Sequence, residues 1–173
     1  PVGVSGHEIA SMIGAGLAKA AIAFSVDGNQ RDLSDTVSQD ADISIYTLDS
    51  DEGLEIMRHT VAAQVLARAI KKLYPKAKLA IGPTIENGFY YDFLSDERVS
   101  IDDLPKIEKE MQKIIAEKSN ISKTIHSKKE AIKNFADIKE DYKVKIIEES
   151  EQEDNFQLYN QGDTGFIDLC RGP

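Results

Sequence analysis

The stretch EGLEIMRHTVAAQVLARAIKKLYP, residues 52–75, organises the rest of the chain around itself. Its apolar residues recur every three or four positions, which is the spacing of an amphipathic α-helix. The first apolar stripe contains Leu54, Met57, Val61 and Val65, and the second contains Ala63, Leu66, Ile70 and Leu73. Because two stripes cover a wide arc, the stretch predicts a central helix that ends just before Pro75.

Short strands and helices are predicted on both sides of this helix. Before it, Ser5 and Glu8 form a capping-box pattern that opens a helix, and residues 21–26 alternate as a strand does. A further strand is predicted before the helix in ADISIYTL. After the helix, a second helix is predicted at 102–118, and strands are predicted in KLAIGPTIENGFYYDFL, ISKTIHS, YKVKIIEE, FQLYNQG and GFIDLC. Hairpin-linked strands with separate helices indicate an α+β fold in two layers with a mostly antiparallel sheet.

The chain divides by composition into two predicted domains. The polar residues 49–53 are typical of a linker, with a small domain at 1–48 and a larger one at 54–173. The chain begins at Pro1 without a methionine and ends at Gly172-Pro173. Both ends look cut, so we expect a fragment of a longer protein.

Composition indicates a globular, cytoplasmic protein. The chain has 173 residues, of which 41% are hydrophobic and 29% charged. No apolar run approaches the roughly 20 residues of a membrane helix, so no membrane partner is expected. Cys170 is the single cysteine, which rules out an internal disulfide and fits a reducing compartment.

Positive charge is concentrated in one segment of an acidic chain. The formal net charge is −9, which by itself argues against nucleic acid. Residues 106–145, however, contain eleven lysines and seven acidic residues, a net charge of +4. Two interpretations remain open: a surface that faces phosphates, or an ordinary solvated helix surface on which Lys and Glu alternate.

Four residues could form a chemical site if the fold brings them together. His59 joins the second apolar stripe of the central helix, and Asp168 and Cys170 alternate on a predicted strand. With Lys143 they would suit hydrolysis of an ester, in which a water is positioned and an oxyanion is neutralised. The alternative is that His59 is a packed core residue and Cys170 a small apolar one. No Gly-rich phosphate loop and no Cys-x-x-Cys pair is present, so no metal site is predicted.

Several long segments resemble, in order and spacing, the N-terminal half of bacterial threonyl-tRNA synthetases. They are RHTVAAQVLARAIKKLYPKAKLAIGPTIENGFYYDF, DDLPKIEKEMQKII, EDYKVKII and DLCRGP. The stretch GAGLAKAAIA is similar to the TGS domain of the same family. The resemblance implies a truncated, ubiquitin-like β-grasp domain at 1–48, without its opening hairpin. It implies at 54–173 the editing domain shared with alanyl-tRNA synthetases.

The resemblance also implies a function and partners. The editing domain of the family hydrolyses serine wrongly attached to threonine tRNA, because serine lacks only one methyl of threonine and a pocket discriminates weakly between them. The implied partners are the acceptor arm of tRNA(Thr) and the remainder of the synthetase, a homodimer. ATP, magnesium and zinc are expected only in the catalytic core, which lies outside these residues. The chain itself is expected to bind no cofactor and to perform no aminoacylation.

Residues carried over from the family define the expected site. Lys143, Asp168 and Cys170 match site residues, and His59 matches the first histidine of the family's His-x-x-x-His motif. The substrate or tRNA contacts are expected from Gly82, Pro83, Tyr91, Lys113, Lys123, Lys128 and Arg171. The family's last histidine is expected directly after Pro173.

The sequence departs from the family at the second histidine. Ala63 stands four residues after His59, whereas alignment on VLARAIKKLYP places Gln64 there, with one extra residue in the helix. A π-bulge would accommodate that residue, which is the hypothesis we adopt. Glutamine cannot shuttle a proton near neutral pH, so the chain could also be a tRNA-binding region without editing activity. A free-standing trans-editing deacylase is the third interpretation.

Overall fold

The computed structural model describes residues 3–173 and divides into two compact units. The first unit is Pro1–Thr60 with Gly172–Pro173, and the second is Val61–Arg171. The described strand pairs are antiparallel, which confirms an α+β fold. No helix among residues 3–173 is long and apolar enough to cross a membrane.

The first unit consists of a three-stranded sheet with short helices. Its elements are β1 (Val4–Ser5), α1 (Gly6–Ile13), α2 (Ala15–Ala20), β2 (Ala21–Val26), β3 (Asn29–Asp32), β4 (Thr36–Val37), β5 (Ile43–Thr47) and α3 (Asp51–Thr60). The sheet order is β3-β2-β5, and β1 pairs with β4. The capping box at Ser5 and Glu8 is present, as predicted, with Ser5 N donating to Glu8 Oε2 at 2.8 Å.

Two glycines allow helices of this unit to pack closely on its sheet. A Cβ on Gly6 would lie 2.4 Å from Phe24 Cδ1, and a Cβ on Gly53 would lie 1.9 Å from the Thr47 carbonyl oxygen. Gly53 therefore brings α3 directly against the end of β5. Residues 51–53, which belong to the predicted linker, form the first turn of α3.

The second unit begins with the remainder of the central helix. Its elements are a π-helix (Val61–Leu66), α4 (Ala67–Leu73), β6 (Lys78–Leu79), β7 (Thr84–Ile85), β8 (Gly88–Phe89), β9 (Phe93–Leu94), a 3-10 turn (Ile101–Asp103), α5 (Leu104–Glu117), β10 (Ile121–His126), α6 (Lys128–Asp137), α7 (Asp141–Glu149), β11 (Phe156–Gln161) and β12 (Ile167–Leu169). The sheet order is β10-β11-β12, so β12 is an edge strand. The predicted hairpin exists, with Ile85 paired to Gly88 across a two-residue turn.

The central helix is irregular at the predicted position. A π-helix spans Val61–Leu66, which confirms the predicted change of register, although it extends over six residues rather than one. Ala62, Ala67 and Ile70 join a core with the β6–β9 region, and Val65 and Ala69 pack on Ile114 of α5. The sheet packs on α6 and α7 through a second core of Ala131, Phe135, Ile147, Phe156 and Leu158.

One predicted strand is wrong. The residues YKVKIIEE form α7, because their burial follows helical spacing rather than alternation. Lys143 and Ile147, four residues apart, are buried, whereas Tyr142 and Ile146 are exposed. The adjacent pair Ile146-Ile147 breaks the two-residue period that a half-buried strand requires.

Candidate functional site

A lysine and an aspartate form a buried ion pair in the second unit. Lys143 Nζ lies 2.7 Å from Asp168 Oδ1, and the side chains are 4% and 2% exposed. Tyr91 Oη donates to Asp168 Oδ2 at 3.0 Å and accepts from Lys143 Nζ at 3.1 Å. The three side chains thus form a closed ring of hydrogen bonds, which we call the Lys143–Asp168–Tyr91 cluster.

Different elements hold the three members of the cluster. Lys143 lies in the first turns of α7, and Asp168 is the middle residue of β12, where its Oδ1 also accepts from Leu169 N at 2.9 Å. Tyr91 lies between β8 and β9, and the backbone of Gly82 covers its ring. A Cβ on Gly82 would lie 2.2 Å from Tyr91 Cδ2, so the position of the ring requires glycine there.

The electrostatics of the cluster favour a protonated phenol beside a carboxylate. Burial raises the pKa of the Asp168 carboxyl, and Lys143, Tyr91 and the Leu169 amide oppose that rise. Three donors converge on the carboxyl group, so we assign it the charged form. Burial raises the pKa of the Tyr91 phenol, and the charge of Asp168 raises it further. Tyr91 therefore remains a hydrogen-bond donor at neutral pH.

A second buried polar group lies at the π-helix. Gln161 Nε2 donates to Gln64 Oε1 at 3.2 Å and also to the Gln64 carbonyl oxygen. Arg68 Nη1 donates to Gln161 Oε1 at 2.9 Å, and Arg68 Nη2 pairs with Glu117 at 2.6 Å. A backbone carbonyl of the π-helix, that of Gln64, thus accepts a hydrogen bond from a β11 side chain. Such a side-chain contact is one way in which the backbone hydrogen-bond pattern of a helix is interrupted.

The sheet register relates the two polar groups. Tyr159 is paired with Asp168, and Gln161 follows Tyr159 by two residues on β11. By alternation, Gln161 and Asp168 belong to the same face of the sheet. Leu158 and Leu169, which pack in the second core, belong to the opposite face.

The other expected chemical residues lie in less constrained places. Cys170 directly follows β12, is partly buried, and donates its backbone N–H to Gln157 O at 3.2 Å. The carbonyl of Pro83 accepts from Tyr90 N at 3.3 Å, which ties the loop beside Gly82. His59 is partly buried in the last turn of α3 and belongs to the first unit, whereas Gln64 belongs to the second.

The expected tRNA-contacting cations differ in how tightly they are held. Lys113 is well exposed and pairs with Glu110 at 2.8 Å, and Arg171 is exposed. Lys128 Nζ donates to Ser150 O at 2.8 Å and pairs with Glu153, so its main contacts are structural. Lys123 is partly buried on β10.

A cavity of about 360 Å³ lies elsewhere in this unit. Its lining includes Arg68, Lys71 and Lys72 but none of the cluster residues. Lys71 pairs with Glu140 at 2.6 Å, and Lys72 pairs with Glu110 at 2.6 Å. Because its cations are already paired with carboxylates, we assign no ligand to it. Within residues 3–173, no group of three or more His, Cys, Asp and Glu side chains is arranged to hold a metal ion.

The sequence did not identify Arg68 or Gln161. Arg68 reads as a polar residue within an apolar helix, and Gln161 reads as the end of a strand. Their partners lie 93 and 97 residues away along the chain, so no local pattern connects them. The one available signal was the extra helical residue at 60–64, which predicted the irregularity without its partner.

Comparison with known proteins finds that the chain is similar to part of a class of aminoacyl-tRNA synthetases. The chain is 46% identical over 173 residues to the threonine–tRNA ligase of Rhizobium leguminosarum bv. trifolii, covering 100% of this chain and 25% of that protein. It is 44% identical over 170 residues to the threonine–tRNA ligase of Marinobacter nauticus and 45% identical over 170 residues to that of Acidithiobacillus ferrooxidans; each match covers 98% of this chain and 26% of the relative. No model of a protein family matches the chain.

These matches confirm the resemblance to threonyl-tRNA synthetases over the whole chain. The chain spans about a quarter of the length of the curated relatives. The activity and partners of the whole relatives therefore enter below as proposals.

Proposed function

We propose that this chain is the TGS and editing region of a threonyl-tRNA synthetase, and that its second unit hydrolyses serine from mischarged Ser-tRNA(Thr). The observation that carries the proposal is the buried Lys143–Asp168–Tyr91 cluster in a chain 44–46% identical to threonine–tRNA ligases. A buried ion pair contributes little net stability to a fold, because burying the two charges is costly. Buried groups with perturbed pKa values cluster at functional sites, so the cluster supports a chemical role.

The proposed chemistry is attack by water on the aminoacyl ester. The oxygen of water adds to the ester carbonyl, the C–O bond to the terminal ribose breaks, and free serine and the tRNA hydroxyl are released. Lys143 uses two of its three N–H donors within the cluster, and its third is the donor that this proposal assigns to the developing oxyanion. Asp168 and Tyr91 hold the ammonium in place, and Gln64 contributes to positioning water or substrate. The catalytic role of His59 is proposed from its match to the family's helix motif alone.

The residues expected to bind tRNA have separate roles in this proposal. Gly82 and Pro83 shape the loop against Tyr91, and Lys113, Lys123 and Arg171 meet phosphates of the acceptor arm. Cys170 lines the site beside β12. The use of ATP, magnesium and zinc, homodimerisation and aminoacylation are proposed for the remaining three quarters of a synthetase in the cytoplasm.

A second candidate function is tRNA binding without hydrolysis. Gln64 favours it, because this residue is buried, is bonded to Gln161, and cannot exchange protons as histidine does. In that case the Lys143–Asp168 pair would serve only the packing of the domain and the binding of tRNA.

Hydrolysis of Ser-tRNA(Thr) separates the two candidates. Release of serine would be followed with this chain and with the full-length product of its gene, beside His59→Ala and Lys143→Met variants. The editing proposal expects release by the unsubstituted protein and a large loss in both variants. No release by either unsubstituted protein, with tRNA binding intact, would establish the binding function instead.

A further inference from the structure

Gln161 connects a fixed cation to the π-helix. Its side chain is buried, and its Oε1 accepts from Arg68 Nη1 at 2.9 Å. Arginine has donors and no acceptor, so this contact determines which end of the Gln161 amide is the oxygen. The NH₂ end must then face Gln64, where it donates to Oε1 at 3.2 Å and to the backbone carbonyl.

The guanidinium of Arg68 is itself held in place. Arg68 Nη2 lies 2.6 Å from Glu117 Oε2 on α5, and Lys72 lies 3.6 Å from the other oxygen of that carboxylate. Orientation is therefore transmitted along a chain of directional contacts from Glu117 through Arg68 and Gln161 to Gln64. Each contact involves either a charge or a buried amide, which makes a change of orientation unfavourable.

The consequence for Gln64 is a defined polarity. Its Oε1 is occupied by the NH₂ group of Gln161, so Nε2 is the end that it offers to another group. Gln64 therefore acts toward a ligand as a hydrogen-bond donor. In the same residue, the carbonyl oxygen is bonded by Gln161 within the π-helix, so one side chain fixes both the backbone and the amide.

We propose that Gln161 is a positioning residue, which turns the Gln64 amide so that Nε2 donates to the ester or to the attacking water. The proposal rests on the proposed deacylase function of the same site. It assigns to β11 a role that neither the helix motif nor the cluster reveals. Arg68 is a second positioning residue, because its hydrogen bond determines the orientation of the Gln161 amide.

The isosteric variant Gln161→Glu tests this role. A carboxylate keeps the acceptor for Arg68 but cannot donate to Gln64, so the Gln64 amide turns over and presents its oxygen to the site. We expect kcat for Ser-tRNA(Thr) hydrolysis to fall about 10- to 100-fold with KM unchanged, the size expected for one misdirected hydrogen bond in a transition state. The ion pair with Arg68 should keep the variant folded, but the lost hydrogen bond to the Gln64 carbonyl should lower its thermal midpoint, so kcat is measured well below that midpoint.

The matched control is Asn160→Asp, one residue earlier on the same strand. Asn160 is partly exposed and donates to Thr124 Oγ1 at 3.2 Å, outside the network of Gln64. This variant makes the same amide-to-acid change and should retain the hydrolysis rate. The side-chain amide signals of Gln64, followed by NMR, should shift in Gln161→Glu and not in Asn160→Asp.

A double variant distinguishes positioning from general support. In a Gln64→Ala background, Gln161→Glu should cause no further loss of kcat, because the group that it orients is gone. Additive losses, unchanged Gln64 signals, or full activity of Gln161→Glu would each overturn the proposal while leaving the deacylase function in place. Absence of hydrolysis by the unsubstituted full-length protein would overturn the deacylase function, and the positioning role with it.

Discussion

Replacing Lys143 by methionine removes the cation from the buried cluster while keeping a long side chain of similar length. Asp168, 2% exposed, then has only Tyr91 and the Leu169 amide as partners. Removing one member of a buried pair typically costs about 3–5 kcal/mol of the free energy of unfolding, because the other charge stays buried without compensation. We expect a loss of this size for Lys143→Met at pH 7.

The same variant should change how stability depends on pH. Burial already raises the pKa of Asp168, and loss of the ammonium raises it further. A carboxyl whose folded-state pKa lies above its unfolded value contributes stability below the unfolded pKa, and that stability is lost as pH rises through the folded pKa. Lys143→Met should therefore be less destabilised near pH 5 than near pH 8, by about 1.4 kcal/mol for each unit of additional pKa difference within that window.

The assay is urea unfolding followed by circular dichroism at several pH values. Lys145→Met is the matched control, because Lys145 is exposed on the same helix two residues away. The double variant Lys143→Met/Asp168→Asn removes the buried charge altogether. It should recover about 2 kcal/mol or more of the loss without restoring hydrolysis.

Three results would refute this reasoning. The first is a Lys143→Met variant that unfolds at the same urea concentration as Lys145→Met. The second is a double variant that is less stable than Lys143→Met, since it would mean that Asp168 carries no uncompensated charge. The third is hydrolysis by the double variant, which would separate the cluster from the chemistry.

Further predictions concern a glycine, the buried carboxylate of Glu110 and the cationic surface. Gly82→Ala should displace the Tyr91 ring, lower the free energy of unfolding by about 1–3 kcal/mol and abolish hydrolysis. Gly88→Ala is the control in both assays, because nothing lies within 4 Å of a Cβ at that position. The hydrogen bond from Lys113 lowers the pKa of Glu110 to about 2. The stability that ionised Glu110 contributes is therefore present above pH 4.5 and is lost as pH falls toward 2. The urea midpoint of Glu110→Gln should depend less on pH over that range, and a dependence as steep as that of the unsubstituted protein would contradict this. A triple alanine variant of Lys113, Lys123 and Arg171 should bind tRNA more weakly and with less dependence on salt concentration. Unchanged binding would contradict this expectation.

Local signals in the sequence predicted most elements of the fold. The predicted capping box at Ser5 occurs, because its hydrogen bonds involve residues only three positions apart. The segment of α7 was mistaken for a strand because Tyr142, Val144 and Ile146 alternate with charged residues. The helical spacing of burial, with Lys143 and Ile147 both buried, arises from tertiary contacts, of which the pairing of Lys143 with Asp168 spans 25 residues of sequence.

Both the residue pattern and the resemblance pointed to a site that includes Lys143 and Asp168, and the role of that site stays a prediction. Lys143, Asp168 and Tyr91 were expected from matching motifs, and the structure brings them together. Gln161 could not be found this way, since its role arises from a tertiary contact with an irregular helix turn. The sequence indicated the irregular turn through one extra residue, but strand β11 had no property that linked it to that turn.

The cluster also bears on how the chain folds during synthesis. Tyr91 and Asp168 are 77 residues apart, and Gln64 and Gln161 are 97 residues apart. A ribosome adding about 5–20 residues per second would expose the central helix several seconds before β11 and β12 exist. Until then, Arg68 and Lys143 have no partner in the sheet, although the central helix can already pack on α5 through Val65, Ala69 and Ile114. We therefore expect this half of the chain to reach its native packing only after β12 has left the ribosome, with its apolar helix surfaces exposed to chaperones in the interval.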